Sequence, residues 1–230
     1  MKRAALLLAL LAAPAWGDPT PQEVQRIMQR DFHPRGQATM DRVVQDGVQR
    51  VCTETHDRPP PELAKALEAD QMKTIAYPEG SLMGDWQRGE AIAQSGRGLT
   101  WNDKPGEPAG GSCYNCHELS ARELSHGTLG PSLRGFAKTR GTSPEVQRYV
   151  YGKIYNAKAY NACSVMPRLG FSGTLTPEQI KDLVGEHLLK RYGIARGSSQ
   201  AYAFTHLDFE ALAKRYGRMG GYAHLAMLVK

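Results

Sequence analysis

Two cysteines three positions apart, followed at once by a histidine, form the densest chemical signal in the sequence: Cys113-Tyr114-Asn115-Cys116-His117. Thiols about one helical turn apart match the two vinyl groups of a haem, and the adjacent imidazole is then delivered to one face of the iron. A zinc site calls for a second pair of Cys or His at ligand spacing, whereas Cys52 and Cys163 stand alone. A thioredoxin-like motif calls for a βαβ surround that the pattern lacks, and a disulfide within the motif leaves His117 without a role. The motif therefore predicts one covalently attached haem c on Cys113 and Cys116, with His117 as proximal ligand.

A ligating histidine needs its second ring nitrogen held, because that partner sets the tautomer and the ring orientation. The stretch Thr128-Leu129-Gly130-Pro131-Ser132-Leu133 follows closely enough to wrap past His117, and a carbonyl near Pro131 is the expected acceptor. For the opposite face of the iron the best candidate is Met166, 49 residues after His117, in Ser164-Val165-Met166-Pro167-Arg168-Leu169-Gly170. A loop held by Pro and Gly can present a thioether, whereas Met28, Met40, Met72 and Met83 read as core filler. His126, His187, His206 and His224 are the rival ligands. Cys52 and Cys163 are expected to pair as a disulfide joining distant parts of the chain, the rival readings being a thiolate ligand supplied by Cys163 and two inert buried thiols.

These residues must be positioned by helices. Val24, Ile27 and Met28, then Val43, Val44, Val48 and Val51, recur at helical spacing, and Glu62 to Met72 follows the break Pro59-Pro60-Pro61. Asp85 caps a helix predicted over Trp86 to Gln94, with Gly89 on one face. Ser143-Pro144 opens another, whose apolar stripe is Val146, Tyr149, Val150 and Ile154. Thr176-Pro177-Glu178-Gln179 combines a capping box with Pro at the first helical position, and Ile180, Leu183, Val184 and Leu188 follow as its buried face. The helix Trp86–Gln94 should cross this last one closely, with Gly89 at the contact. No alternating strand pattern appears, so the predicted class is all-α.

The 230 residues hold 29 Lys plus Arg against 23 Asp plus Glu, with 41% apolar and 23% charged residues. That balance and a mean hydropathy of −0.47 exclude a polytopic membrane protein and wholesale disorder. Lys2-Arg3, the apolar run Ala4 to Ala13, and Ala15-Trp16-Gly17 read as a secretory signal peptide over 1–17, too short to span a bilayer. Export implies the periplasm and an oxidising compartment. The formal charge of +6 becomes about +4 without Lys2 and Arg3, too mild to argue for nucleic acid. The remaining chain divides into a helical extension over 18–80, a haem domain over 81–190 and a tail over 191–230, with one helix expected at Asp208 to Tyr216.

Cys-Tyr-Asn-Cys-His, Gly-Thr-Leu-Gly-Pro-Ser-Leu, and Val-Met-Pro before Leu-Thr-Pro-Glu-Gln-Ile together resemble class I cytochrome c. The Tyr149-to-Met166 stretch resembles in particular the SoxX family, the mono-haem subunit of the SoxAX cytochrome of sulfur oxidation. The resemblance spans residues 84–190. It implies a heterodimer with a SoxA-like cytochrome subunit, together acting as an L-cysteine S-thiosulfotransferase that oxidatively joins thiosulfate to a cysteine of a SoxYZ-like carrier. The sulfur chemistry would belong to the partner subunit. This chain would take the electrons on its own haem, held by Cys113, Cys116, His117 and Met166, and pass them to a soluble acceptor. A stand-alone periplasmic electron carrier is the alternative. A haem enzyme or sensor would need an open iron position, which Met166 argues against.

Overall fold

A computed structural model describes residues 19–120 and 123–189. The predicted leader, the helix expected at Asp208 to Tyr216, and His206 and His224 lie outside the described residues. Within them the chain is helical, with seven α-helices, three single 3-10 turns and no strand beyond an isolated bridge between Arg35 and Ala38. The all-α class holds.

Each helix begins where its local chemistry dictates. Helix α1 (Pro21–Asp31) has a reciprocal Thr20–Glu23 capping box and Pro at its first turn, yet buries no residue. The Val43-to-Val51 periodicity does not form one helix. A 3-10 turn covers Met40–Val43, and α2 (Gly47–Glu54) starts afresh at Asp46. The Asp46 carboxylate accepts the Gln49 N–H at 2.9 Å while the Gln49 side chain accepts the Asp46 N–H at 3.0 Å. That box sets the start of α2, buries Val48 and leaves Val44 67% exposed. Helix α3 (Pro61–Lys73) follows the proline triplet.

Helix α4 (Trp86–Gln94) is capped by the Asp85 carboxylate, which accepts from the Gln87 and Arg88 N–H groups. The short α5 (Phe136–Arg140) precedes α6 (Pro144–Tyr155), capped by Ser143. The buried face of α6 differs from the expected stripe. Val150, Tyr151 and Ile154 are buried, whereas Tyr149 is largely exposed and lies edge-on against Tyr160. Tyr151 can go fully inside because its hydroxyl donates to the Ala76 carbonyl at 3.2 Å. Helix α7 (Pro177–Leu189) carries the Thr176–Gln179 capping box, and Ile180, Leu183, Val184 and Leu188 form its buried face.

Helices α4 and α7 cross at backbone distance. A Cβ on Gly89 would stand 2.1 Å from the Asp182 carbonyl oxygen, so no other residue fits. Around this contact the Gly84 N–H donates to the Lys181 carbonyl at 2.9 Å, and the Asp85 N–H donates to the Asp182 carboxylate at 2.8 Å. Arg88 grips the same carboxylate with two nitrogens, at 2.8 and 2.9 Å. The buried charge of Asp182 is thus paired and fully hydrogen-bonded.

Helices α2 and α3 pack against the segment that leads from α6 to α7. Asn156, fully buried, donates to Gln71 Oε1 and Thr74 Oγ1 at 3.0 and 2.9 Å. Glu68 accepts the Ala162 N–H at 3.1 Å, and Arg168 pairs with Asp46 at 2.6 Å. The extension is therefore joined to the loop around Met166. Replacing Gly89 by Leu should overpack the crossing and cost at least about 1–3 kcal/mol. A denaturant midpoint equal to that of the wild type would place the tight contact elsewhere.

Candidate functional site

The Cys113–Asn115 segment is a 3-10 turn entered through Ser112 in the left-handed region (φ 46°). Both the Cys116 and His117 N–H groups donate to the Cys113 carbonyl, at 3.1 and 2.9 Å. The turn sets the two thiols about one turn apart, and neither is bridged. Three backbone bonds then strap the following loop to the motif. The Gly127, Gly130 and Leu133 N–H groups donate to the carbonyls of Tyr114, Cys116 and Glu118, each at 2.8 Å.

This strap explains how His117 is held. Its Nδ1 lies 2.7 Å from the Pro131 carbonyl oxygen, which has no proton to give. Nδ1 therefore carries a proton, and in the neutral ring the lone pair is on Nε2. A Cβ on Gly130 would fall 2.2 Å from the His117 ring, so the backbone itself forms one wall against the imidazole. The tautomer and plane of the ring are both determined by the Gly-Pro turn.

Met166 is half-buried and packs on the same core cluster as Cys113, Tyr114, Leu133 and Leu169. Its N–H donates to Ser164 Oγ at 3.2 Å. A Cβ on Gly111 would lie 3.0 Å from Cys113 Sγ and 3.7 Å from Leu169, which brings the loop after Met166 alongside the cysteine motif. Cys52 and Cys163 are bonded to each other, with Cα atoms 5.5 Å apart and a sequence separation of 111. Both sulfurs are thereby used, which removes the thiolate-ligand and inert-thiol readings. A loop of that length corresponds to about 4–5 kcal/mol of chain entropy withdrawn from the unfolded state. Of the rival histidines, His126 is exposed and contacts the Gly127 carbonyl, while His187 places Nδ1 2.6 Å from Glu186.

The buried acids are what sequence reasoning missed. Glu90 on α4 and Glu186 on α7 are buried, and Glu123 accepts the Leu119 N–H at 2.8 Å while Gln94 donates to it at 3.2 Å. Glutamate in a helix reads as solvated by default. The available signal was spacing, since Glu186 stands three residues after Leu183 on the face that α7 buries. Glu186 also bears on the cysteine motif. Burial, and then the Glu186 charge, push the Cys113 thiol up to about 12.

An imidazole with Nδ1 engaged, two unbridged thiols one turn apart and a thioether on the same core form a donor set of the kind that binds haem. The surround is an all-α protein stapled by a disulfide between its N-terminal helices and the loop before α7. No established protein-family profile matches the chain. It is 38% identical over 143 residues, 61% of this chain and 68% of the relative, to an uncharacterized lipoprotein of Aquifex aeolicus. The chain belongs to the same family as that lipoprotein.

With its thiol pushed up by burial and by the Glu186 charge, Cys113 holds little thiolate at pH 8. In folded protein lacking haem it should therefore resist alkylation by iodoacetamide at pH 8 and react once the chain is unfolded. Equal labelling rates in the two states, read by peptide mass, would overturn this account of its surroundings.

Proposed function

We propose that Cys113 and Cys116 bind one haem c through thioethers, that His117 and Met166 ligate its iron, and that the domain around them is class I cytochrome c-like. The carrying observation is the His117–Pro131 contact at 2.7 Å, which leaves Nε2 as the free donor with Gly130 against the ring. A haem in that place supplies one-electron chemistry. The residues of this chain do the rest. Pro131 orients the imidazole, the core seats the half-buried Cys113 at one thioether position, and Ser164 with the Arg168–Asp46 pair orients the loop that offers the thioether.

We further propose that the chain is exported to the periplasm behind a cleaved leader and serves as the electron-transfer subunit of a SoxAX-type complex. The complex would join thiosulfate to a carrier cysteine, with the sulfur chemistry on the partner. Export is supported by the Cys52–Cys163 bond, which suits an oxidising compartment, and by the lipoprotein relative. Among the described residues no helix is long and apolar enough to cross a membrane.

Protein produced alongside a haem-attachment system should keep its haem through denaturation and acid extraction, and Cys113→Ala with Cys116→Ala should abolish attachment. Met166→Ala should remove the weak ferric charge-transfer band near the red edge of the spectrum. Haem that extracts freely from the wild type would end this reading.

The assignment to a complex has its own test. Tagged protein purified from its native cells should bring down a second cytochrome subunit in a one-to-one ratio. Isolation of a haem-loaded monomer at every step would instead favour the stand-alone carrier.

A further inference from the structure

Helix α2 ends at Glu54, and two successive non-glycine residues beyond it, His56 and Asp57, take positive φ (48° and 59°). Left-handed backbone costs an ordinary residue about 1–2 kcal/mol, less for aspartate. The conformation is held by the Asp57 N–H, which donates to the Cys52 carbonyl at 2.8 Å. Its result is specific. A carboxylate oxygen of Asp57 and the two sulfurs of Cys52 and Cys163 all lie within 4.8 Å of one another.

A disulfide offers a carboxylate neither a proton nor a charge, but the dithiol form offers protons. The three groups are also graded in access: Cys52 is buried, Cys163 half-buried and Asp57 exposed. An incoming thiolate can therefore reach Cys163 but not Cys52, while Asp57 connects the inner sulfur to solvent. The reduced form has a place ready. Cys52 Sγ lies 3.4 Å from the Ala162 carbonyl, the acceptor that a thiol there would use. Lys158 donates to the same carbonyl at 3.0 Å, and burial lowers its pKa. Lys158 and Arg168 supply the positive charge around the bridge, and Asp46 and Glu68 supply the negative charge besides Asp57.

We propose that the Cys52–Cys163 bond is a reactive disulfide, exchanged with a dithiol protein of thioredoxin type, with Cys163 as the attacked sulfur and Asp57 as the proton carrier for Cys52. The partner thiolate forms a bond to Cys163 Sγ, the Cys52–Cys163 bond breaks, and its electron pair leaves on Cys52. A proton reaches that sulfur from solvent by way of the Asp57 carboxylate, which is left as it began. The partner's second thiolate then attacks its own sulfur in the mixed disulfide and releases Cys163, which takes a proton from water. Two electrons and two protons have moved, the partner dithiol ending as a disulfide. In the reverse direction Asp57 removes the Cys52 proton so that the thiolate can close the bridge. The exchange governs one covalent hold on the loop that carries Met166.

The test uses the full chain and reads only peptides containing Cys52 and Cys163, so its outcome is independent of haem attachment. A thioredoxin-type protein whose resolving cysteine is replaced by Ser should be trapped on Cys163, without denaturant. Adducts on Cys52, or no adduct until the protein is unfolded, would overturn the proposal. Reduction by dithiothreitol, followed by thiol alkylation and mass, should be at least about tenfold slower in Asp57→Asn. Asparagine keeps the left-handed turn, so the end of α2 is retained. A variant that is reduced as fast as the wild type, or faster because a repelling charge has gone, would equally overturn it.

Discussion

The approach of α4 to α7 at Gly89 is the constraint on which the rest of the molecule depends. Two helices in contact at backbone distance leave no room for side chains between them, so their angle and register are determined together. Arg88 and the N–H of Asp85 then converge on Asp182, turning a steric fit into a charge-assisted one. The same crossing carries Glu186 to within electrostatic reach of Cys113 and sets Gln94 to reach Glu123 beneath the cysteine motif. The helix pair therefore determines not only the core but also the polarity in which Cys113 sits.

From that frame the two halves of the candidate site are built by different means. The His117 half is local: a single 3-10 turn, a strap of three backbone bonds and a Gly-Pro turn act within about twenty residues of each other in sequence. The Met166 half is remote. Met166 lies on a loop whose restraint comes from α2 and α3, through the Cys52–Cys163 bond, the Arg168–Asp46 pair, Glu68 on the Ala162 N–H, and Gln71 and Thr74 on Asn156. Residues 46–74 are thus part of the support of the loop rather than an appendage to it. The restraint is partly covalent, whereas the His117 half is held mainly by backbone bonds.

Much of this was legible in the sequence because it was written in local chemistry. The cap at Asp85, the Ser143-Pro144 start and the Thr176–Gln179 box give the starts of α4, α6 and α7, since an N-cap and its partner lie within one turn. The acceptor near Pro131 was also readable, because a Gly-Pro turn a short way past His117 has few places to go. Where local signals competed, periodicity misled. Val43 to Val51 reads as one helix, but the Asp46–Gln49 box restarts it, and Tyr149 gives its expected burial to Tyr151.

The helical class, the cysteine–histidine motif and the residues able to hold His117 are all readable from the chain, because each depends on neighbours a few positions apart. Long-range packing sets the rest: it brings Cys52 to Cys163, has α2 and α3 brace the loop before α7, and takes Glu90 and Glu186 inside. The physical reason is distance along the chain. Contacts across dozens to 111 positions leave no periodic trace, and a glutamate's burial follows from what packs over it rather than from its own preference for water.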